Sequence, residues 1–286
     1  GPHRPARYPG RLLPHARRRG VALVAVGTDQ SLPACRDVND QPTGEAIVKP
    51  ALVRIVLQAR MGSNRRPGKI IANLGGAPML QHVVRRMQLV GECLPQLSFQ
   101  CLVATTDLAE DDATESLCDA LDVPCLRGSA DDVLSRYLDA TADLAADDLV
   151  VRATADNPIY CPQRTADLIA HHLRSGNDYT YIRNLSHGAP EVFSAAALRT
   201  GAGTTDPYCR EHVTPYLRQT PGNLRVEELA PTWRGLRPEV RLTVDTPEDV
   251  ASLDRLLKAF VEPTRVPLDA AYRLADILRL REPRLA

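Results

Sequence analysis

Residues 53–69 read VRIVLQARMGSNRRPGK, an apolar run that passes directly into a basic loop. Val53, Ile55, Val56 and Leu57 make a run too short for a helix and β-branched enough for a strand buried on both faces. The loop gathers Arg60, Arg65, Arg66 and Lys69 around Gly62 and Gly68. Bulk charge gives no reason for this, because the 286 residues carry 35 Lys and Arg against 35 Asp and Glu. Without a global field there is nothing to draw the protein onto nucleic acid or an anionic membrane, so any anion site is local. Either the loop is merely solvated, or a group with several negative charges sits on it.

Downstream, the strand becomes part of a pattern. PMLQHVVRRMQLV (78–90) has helical spacing with Pro78 at a first helical position. FQCLVATT (99–106) reads as a strand, EDDATESLCDALD (110–122) as an acid-fronted helix, and VPCLRGS (123–129) as a strand and turn. Ser129 and Asp132 stand at capping-box spacing before the next helix. DLVVRATADNP (148–158) is a strand entering a polar turn, and PQRTADLIAHHLRSG (162–176) a helix closed by Gly176. Its adjacent His171 and His172 have no acid at i+4 and read as surface. Strands alternating with helices of this length predict βαβ units, hence an α/β fold with a mostly parallel, Rossmann-like sheet flanked by helices. Such sheets bind ligands beyond the carboxyl ends of their strands. The basic loop, Thr105-Thr106-Asp107 and Thr154-Ala155-Asp156 all fall there.

Residues 178–240 are less regular, with strand-like DYTYI, PEVFS and NLRVEEL around one helix in TDPYCREHVTPYLRQT. EVRLTVDTPEDV (239–250) then predicts strand, turn and helix, with Thr246, Pro247 and Asp249 as N-cap, first helical residue and capping-box acid. The expected organisation is one domain over 51–260, its 178–240 part forming a smaller mixed β/α region, and a helix from 261–286 packed on the body. Residues 1–50 form an Arg/Pro-rich, disorder-prone extension, whose first twenty positions hold six arginines and no acid.

Seven cysteines are scattered without a C-x-x-C pair or zinc spacing, which predicts reduced thiols and a cytoplasmic location. Cys209 stands apart from them in a polar stretch. No apolar run approaches the roughly 20 residues of a membrane span. VALVAV (21–26) is too short for a secretory core.

Asp156 and Asp245 both follow apolar runs at turns. A lone acid there is usually a cap, but two beside a cationic loop point to a divalent metal and a polyphosphate. Hard carboxylate oxygens suit Mg²⁺, which completes its shell with water and phosphate oxygens. The loop itself matches neither G-x-x-x-x-G-K-[ST] nor G-x-G-x-x-G.

The runs VLQARMGSNRRPGK, LGGAPMLQHV, ATTD, LRGSADDVLSRY, VRATADNP, TDPYCREHVTPY and RLTVDTPEDV, in that order, resemble the cytidylyltransferases related to CMP-Kdo and CMP-sialate synthetases. The branch most resembled is that of spore-coat polysaccharide biosynthesis. The resemblance implies a nucleotide-diphospho-sugar transferase type of sheet and a homodimer, with 178–240 serving the acceptor and the dimer contact. It implies that Gln58 and Ala59 meet the base or ribose of CTP, while Arg60, Ser63 and Lys69 meet its phosphates and Gly62 permits close approach. Thr105, Thr106, Asp107, Arg127, Gly128 and Ser129 would line the cytosine and ribose, and Asp156 and Asp245 would hold Mg²⁺. Arg152, Glu191, Arg210, Glu211 and His212 would face a small anionic acceptor. This chain has Arg66 where an apolar residue is usual and Ala155 where glycine is usual. Neither change removes a charged group, so altered substrate shape is expected before lost activity.

The implied reaction is attack of an acceptor oxygen on the α-phosphorus of CTP, with departure of pyrophosphate. An acceptor that is an acidic sugar or another acid, such as a phosphonate, needs little general-base help; His212 is the candidate base, and a structural role for it is equally open. A nucleotide-sugar glycosyltransferase shares the sheet architecture but normally carries an Asp-x-Asp motif, which is poorly matched here. A non-catalytic nucleotide-binding protein would have no need of both acids and the loop cations.

Overall fold

β1 (Val53–Gln58) is buried along nearly its whole length, as the apolar run predicts. The computed structural model describes residues 52–63, 66–183, 188–219 and 224–280. The extension expected over 1–50, Arg65 and the last residues of the 261–286 segment lie outside the described residues.

After β1 come a small ribbon, β2 (Asn73–Leu74) and β3 (Ala77–Pro78), then α1 (Met79–Gln88) and the short α2 (Val90–Cys93). β4 (Phe99–Thr106), α3 (Asp112–Leu121), β5 (Cys125–Gly128), α4 (Val133–Ala140), β6 (Leu149–Thr154) and α5 (Pro162–Ser175) continue the alternation. β7 (Tyr179–Ile182), β8 (Glu191–Ser194), α6 (Ala195–Thr200), α7 (Pro207–His212), α8 (Pro215–Gln219) and β9 (Val226–Leu229) follow. α9 (Pro247–Lys258) and α10 (Leu268–Leu278) close the described chain.

One seven-stranded sheet runs in the order β5-β4-β1-β6-β8-β7-β9. Only β8 opposes its neighbours, so the sheet is mostly parallel, and the strand pieces of 178–240 lengthen it on one side. Side chains alternate across it with the strand period of two. Val53, Ile55 and Leu57 pack with Val83, Val84 and Met87 of α1 and with Leu168 and Ile169 of α5. Val56 points the other way, to Val133, Leu134 and Tyr137 of α4. The chain leaves β1 for β4 and β5 on one side and returns to β6 on the other. The strand order therefore reverses between β1 and β6, the place where open α/β sheets form a ligand crevice.

Local signals held at α5, closed by Gly176 at φ 62, and at α9, whose Thr246–Asp249 capping box forms in full. Others need correction. Pro78 caps α1 and does not begin it. α4 starts later than Ser129, because Asp132 is the N-cap and accepts from Ser135 N at 2.9 Å. The helix expected over 205–220 is two short helices parted at Val213, whose φ of 68 and a Thr214 N to His212 O bond of 2.8 Å make a strained γ-turn. Residues 240–245 form no strand ladder, although Val240, Leu242 and Val244 are fully buried, with Thr243 buried beside them. Cys209 is buried, donates to Asp206 at 3.2 Å, and burial pushes its thiol pKa up. The six described cysteines are all free thiols.

The histidine pair is not surface. His171 Nε2 lies 2.9 Å from Glu227, while His172 is only 2 % exposed with Nδ1 2.9 Å from Thr180 Oγ1. Burial pushes the His172 pKa from its ordinary 6.5 down to about 4. The native ring stays neutral where the unfolded chain takes up a proton, so stability falls as pH drops through that window. The loss should reach roughly 3 kcal/mol below pH 4. In urea unfolding at pH 7 and at pH 4.5, His172→Gln should show a visibly flatter pH dependence than the wild type. An unchanged slope would assign the effect to other groups.

Candidate active site

The basic loop begins where β1 ends. Ala59 N bonds Ala104 O at 3.1 Å, Met61 N bonds Asp111 Oδ1 at 2.8 Å, and Gly68 N closes on Met61 O at 2.9 Å. Gly68 takes φ 71, a left-handed conformation that glycine adopts without steric cost, and starts a 3-10 turn over Lys69–Ile71. A Cβ at Gly62 would stand 2.5 Å from Glu110 Oε1, the end of a side chain free to swing aside. The 3-10 turn sends the Lys69 side chain inward, where it is 9 % exposed. Its Nζ donates to Val244 O at 2.9 Å, Asp156 Oδ2 at 3.1 Å and Asp245 Oδ1 at 3.4 Å. Three residues far apart in sequence thus converge on one point beside the reversal of strand order.

Both acids are held from behind. Val244 N bonds Asp156 O at 2.9 Å, which ties the two turns together. Asp245 N and Thr246 N both donate to Asp249 Oδ2, at 2.9 and 2.8 Å, and Arg241 Nε donates to Asp249 Oδ1 at 2.6 Å. Burial alone would raise the Asp249 pKa; Arg241 and the two backbone donors hold it at about 2 instead. One carboxylate therefore starts α9 and fixes the turn that presents Asp245.

Beside this cluster is a cavity of about 240 Å³, lined by Arg152, Thr154, Asp156, Tyr160, Ala189, Pro190, Glu191, Thr243 and Asp245. Arg152 Nη1 donates to Glu191 Oε2 at 3.0 Å and Nη2 to Gln58 Oε1 at 3.3 Å. Burial works against the Arg152 charge, but the Glu191 carboxylate beside it raises its pKa overall. Glu191 Oε1 also accepts from Tyr179 at 3.0 Å and from Arg218 at 2.8 Å, with Thr214 Oγ1 at 3.4 Å. Tyr160 OH accepts from Thr154 N at 3.0 Å at the cavity wall. Two carboxylates on one side and a guanidinium–carboxylate cluster on the other give this space the chemistry to face an anion beside a metal.

A model of the family described as cytidylyltransferase matches residues 54–275. The chain belongs to the cytidylyltransferase family. As a cytidylyltransferase it is a nucleotidyl-transferring enzyme. It is 35 % identical over 215 residues to the spore coat polysaccharide biosynthesis protein SpsF of Bacillus subtilis, covering 71 % of this chain and 85 % of that one. To the 3-deoxy-manno-octulosonate cytidylyltransferase of Anaeromyxobacter dehalogenans it is 26 % identical over 245 residues, covering 72 % and 98 %. A solved cytidylyltransferase from Leptospira borgpetersenii superposes with a TM-score of 0.70 at 26 % identity, covering 82 % of this chain and 98 % of the other.

Not all residues expected at the site of this cytidylyltransferase meet there. Gln58, Lys69, Arg152, Asp156, Glu191 and Asp245 do. Arg60, Gly62 and Ser63 lie on the loop, and Ser63 Oγ accepts from Arg66 N at 3.4 Å. Thr105 and Thr106 are buried, and Thr106 Oγ1 donates to Asp111. Asp107 is exposed and its N bonds Gly128 O at 2.9 Å. Arg127 is committed to the start of α3, donating to Asp112 at 2.6 Å, Glu115 at 2.8 Å and Leu108 O at 2.8 Å. Ser129 Oγ accepts from Asp132 N at 3.2 Å. Arg210 donates to Asp132 at 2.8 Å and Thr204 O at 2.8 Å, joining α7 to the α4 cap and not to the cavity. Glu211 and His212 are exposed, with the His212 ring 4.5 Å from that of Tyr208, and neither lines the cavity.

Sequence reasoning missed Tyr160, Tyr179, Thr243 and Arg218. Tyr160 follows the Asp156 turn by four residues and could have been found by asking what closes that turn. Arg218 offered no signal. It sits on a one-turn helix that follows the Val213 γ-turn, with its guanidinium 4.0 Å from the Tyr181 ring centre.

Proposed function

We propose that this cytidylyltransferase is Mg²⁺-dependent and transfers CMP from CTP to a small anionic acceptor, releasing pyrophosphate. The acceptor is an acidic sugar or another acid such as a phosphonate, and the product serves polysaccharide or specialised-metabolite synthesis. The observation that carries this reading is the convergence of Lys69, Asp156 and Asp245 beside the Arg152–Glu191 cavity.

The donor set fits a small divalent cation. Two carboxylate oxygens from separate turns already converge on one positive group, the Lys69 ammonium. Among the described residues no third His, Cys, Asp or Glu joins them, which leaves the remaining positions to water and phosphate oxygens, as Mg²⁺ requires. Asp156 and Asp245 would hold the ion, and when bound it supplies charge neutralisation at the phosphates.

The chain's own groups do the rest. Arg60, Lys69 and the backbone N–H of Gly62 bind and orient the triphosphate. Arg152, with its charge maintained by Glu191, orients the acceptor anion. A bond forms between the acceptor oxygen and the α-phosphorus as the bond from α-phosphorus to the bridging oxygen breaks, and pyrophosphate carries that electron pair away. Positioning and fixed positive charge lower the barrier, so no protein base is assigned. A homodimer built through 178–240 and a cytoplasmic location belong to the same proposal.

The test is pyrophosphate release from CTP, UTP or GTP with a panel of sugar acids and phosphonates, with and without a chelator, read with the mass of the conjugate. Chelator-sensitive formation of a CMP conjugate is expected. A UMP or GMP conjugate in preference, or turnover indifferent to the chelator, would overturn the reading.

A further inference from the structure

Glu191 on β8 divides its two carboxylate oxygens between separate tasks. Oε2 accepts from Arg152 Nη1 at 3.0 Å, and both residues line the cavity. Oε1 accepts from Arg218 Nη2 at 2.8 Å and from the Tyr179 hydroxyl at 3.0 Å, with Thr214 Oγ1 at 3.4 Å. Thr214, just before α8, and Arg218 within it stand one helical turn apart, so one short segment meets the carboxylate twice.

Arg218 is itself held in place. Its Nη2 and Nε donate to the Tyr179 hydroxyl at 2.9 and 3.2 Å, and its guanidinium lies over the Tyr181 ring. Tyr179 is fully buried and stacks on Tyr181 with ring centres 5.0 Å apart, while Tyr181 OH donates to Glu228 at 2.6 Å. Arg152 is tethered at two corners, Nη1 on Glu191 and Nη2 on Gln58 at 3.3 Å, and its Nε is buried without a partner among the described residues. Charge points the same way. Arg152 and Glu191 alone are a neutral pair, which offers an anion no net attraction. Arg218 brings a second guanidinium to the one carboxylate and leaves the cluster with a net positive charge.

We propose that Arg218 is a positioning residue for the acceptor anion. By holding Oε1 of Glu191 it keeps Oε2 on Arg152, and it gives the Arg152–Glu191–Arg218 cluster the excess charge that draws an anion into the cavity. Arg218 does not line the cavity itself and acts through Glu191. This role rests on the reading of the cavity as the acceptor site and adds what makes its wall cationic.

The experiment uses the full chain with isotope-labelled arginine, as wild type, Arg218→Gln and Arg218→Lys. The Arg152 Nε–H resonance, assigned by its loss in Arg152→Lys, should exchange with water roughly 10-fold faster in Arg218→Gln. An unchanged rate would show that Glu191 holds Arg152 unaided and overturn the positioning. With Mg²⁺ and CDP bound, calorimetry with methylphosphonate and with glucuronate should show Kd rising roughly 5–10-fold in Arg218→Gln, while the Kd of CDP changes less than about 2-fold. An equal loss for anion and CDP would mark a general structural defect and overturn the proposal. Arg218→Lys keeps the charge and should recover part of the anion affinity; no recovery would overturn the charge argument. The Arg218 side chain is 41 % exposed, so its replacement is expected to leave the fold intact. Should Arg218→Gln not fold, Tyr179→Phe, which removes the other hydrogen bond to Oε1, carries the exchange test with the same expected and overturning results. A wild type that binds neither anion fails differently, at the acceptor reading, while the Arg152 resonance still decides whether Arg218 positions that residue.

Discussion

Asp245→Asn and Lys69→Ala are each expected to lower CTP-dependent pyrophosphate release by roughly 10³-fold or more while the protein stays folded. Asn preserves the size of Asp245 and its backbone N–H, which donates to Asp249, so the α9 cap survives. What is lost is one of the two negative charges that converge on Lys69. Lys69→Ala does the reverse: it removes the cation and leaves two carboxylates facing each other across a partly buried gap. The two variants should differ in their response to metal. Asp245→Asn should need far more Mg²⁺ for any residual rate, whereas in Lys69→Ala the defect should lie in use of the triphosphate. Initial rates over a Mg²⁺ titration, with circular dichroism for folding, separate the two. A rate near that of the wild type from either variant would remove that residue from the chemistry.

Arg86→Met is expected to destabilise the protein by about 3–5 kcal/mol. Arg86 is 1 % exposed on α1 and donates to three carbonyls: Tyr160 O at 2.5 Å, Thr264 O at 3.1 Å and Val266 O at 2.7 Å. Burial pushes its pKa down to about 10, which still leaves it charged at neutral pH. Methionine fills much of the space and restores none of the three bonds, so buried acceptors are left unsatisfied. Lysine should rescue little, because one ammonium cannot span carbonyls arranged for a planar fork. Because Tyr160 is a cavity residue, turnover should fall as well. Urea unfolding at neutral pH measures the loss, and a change below about 1 kcal/mol would show that water replaces the guanidinium.

The fold was legible because its signals are local. Apolar runs ending in polar turns, helix spacing and the Thr246–Asp249 box are each readable within a dozen residues. Asp156, Asp245 and Lys69 were legible for the same reason, since each follows a recognisable junction. Arg86, Arg136, His172 and Arg218 were not. In sequence they look like the polar side of amphipathic helices, and only long-range packing buries or aims them. Residues 240–245 misled in the opposite sense. Apolar and polar residues alternate there in sequence, but Leu242, Thr243 and Val244 are buried in succession and no ladder forms. The break at Val213 was hidden because a β-branched residue at positive φ is what propensity argues against.

β6 is hydrogen-bonded to β1 on one side and to β8 on the other, with Gln58 opposite Thr154 and Arg152 opposite Glu191. Gln58, Arg152 and Glu191 thus stand on three adjacent strands of a single ladder, with Lys69, Asp156 and Asp245 on the turns beside it. No hinge can open between Gln58, Arg152 and Glu191 without tearing that ladder, so their spacing is set by the strands. Loops around such a ladder can change in sequence while the strands beneath them stay unchanged. A protein built this way can rewrite its outer loops freely so long as three strands and the turns carrying Lys69, Asp156 and Asp245 are left alone.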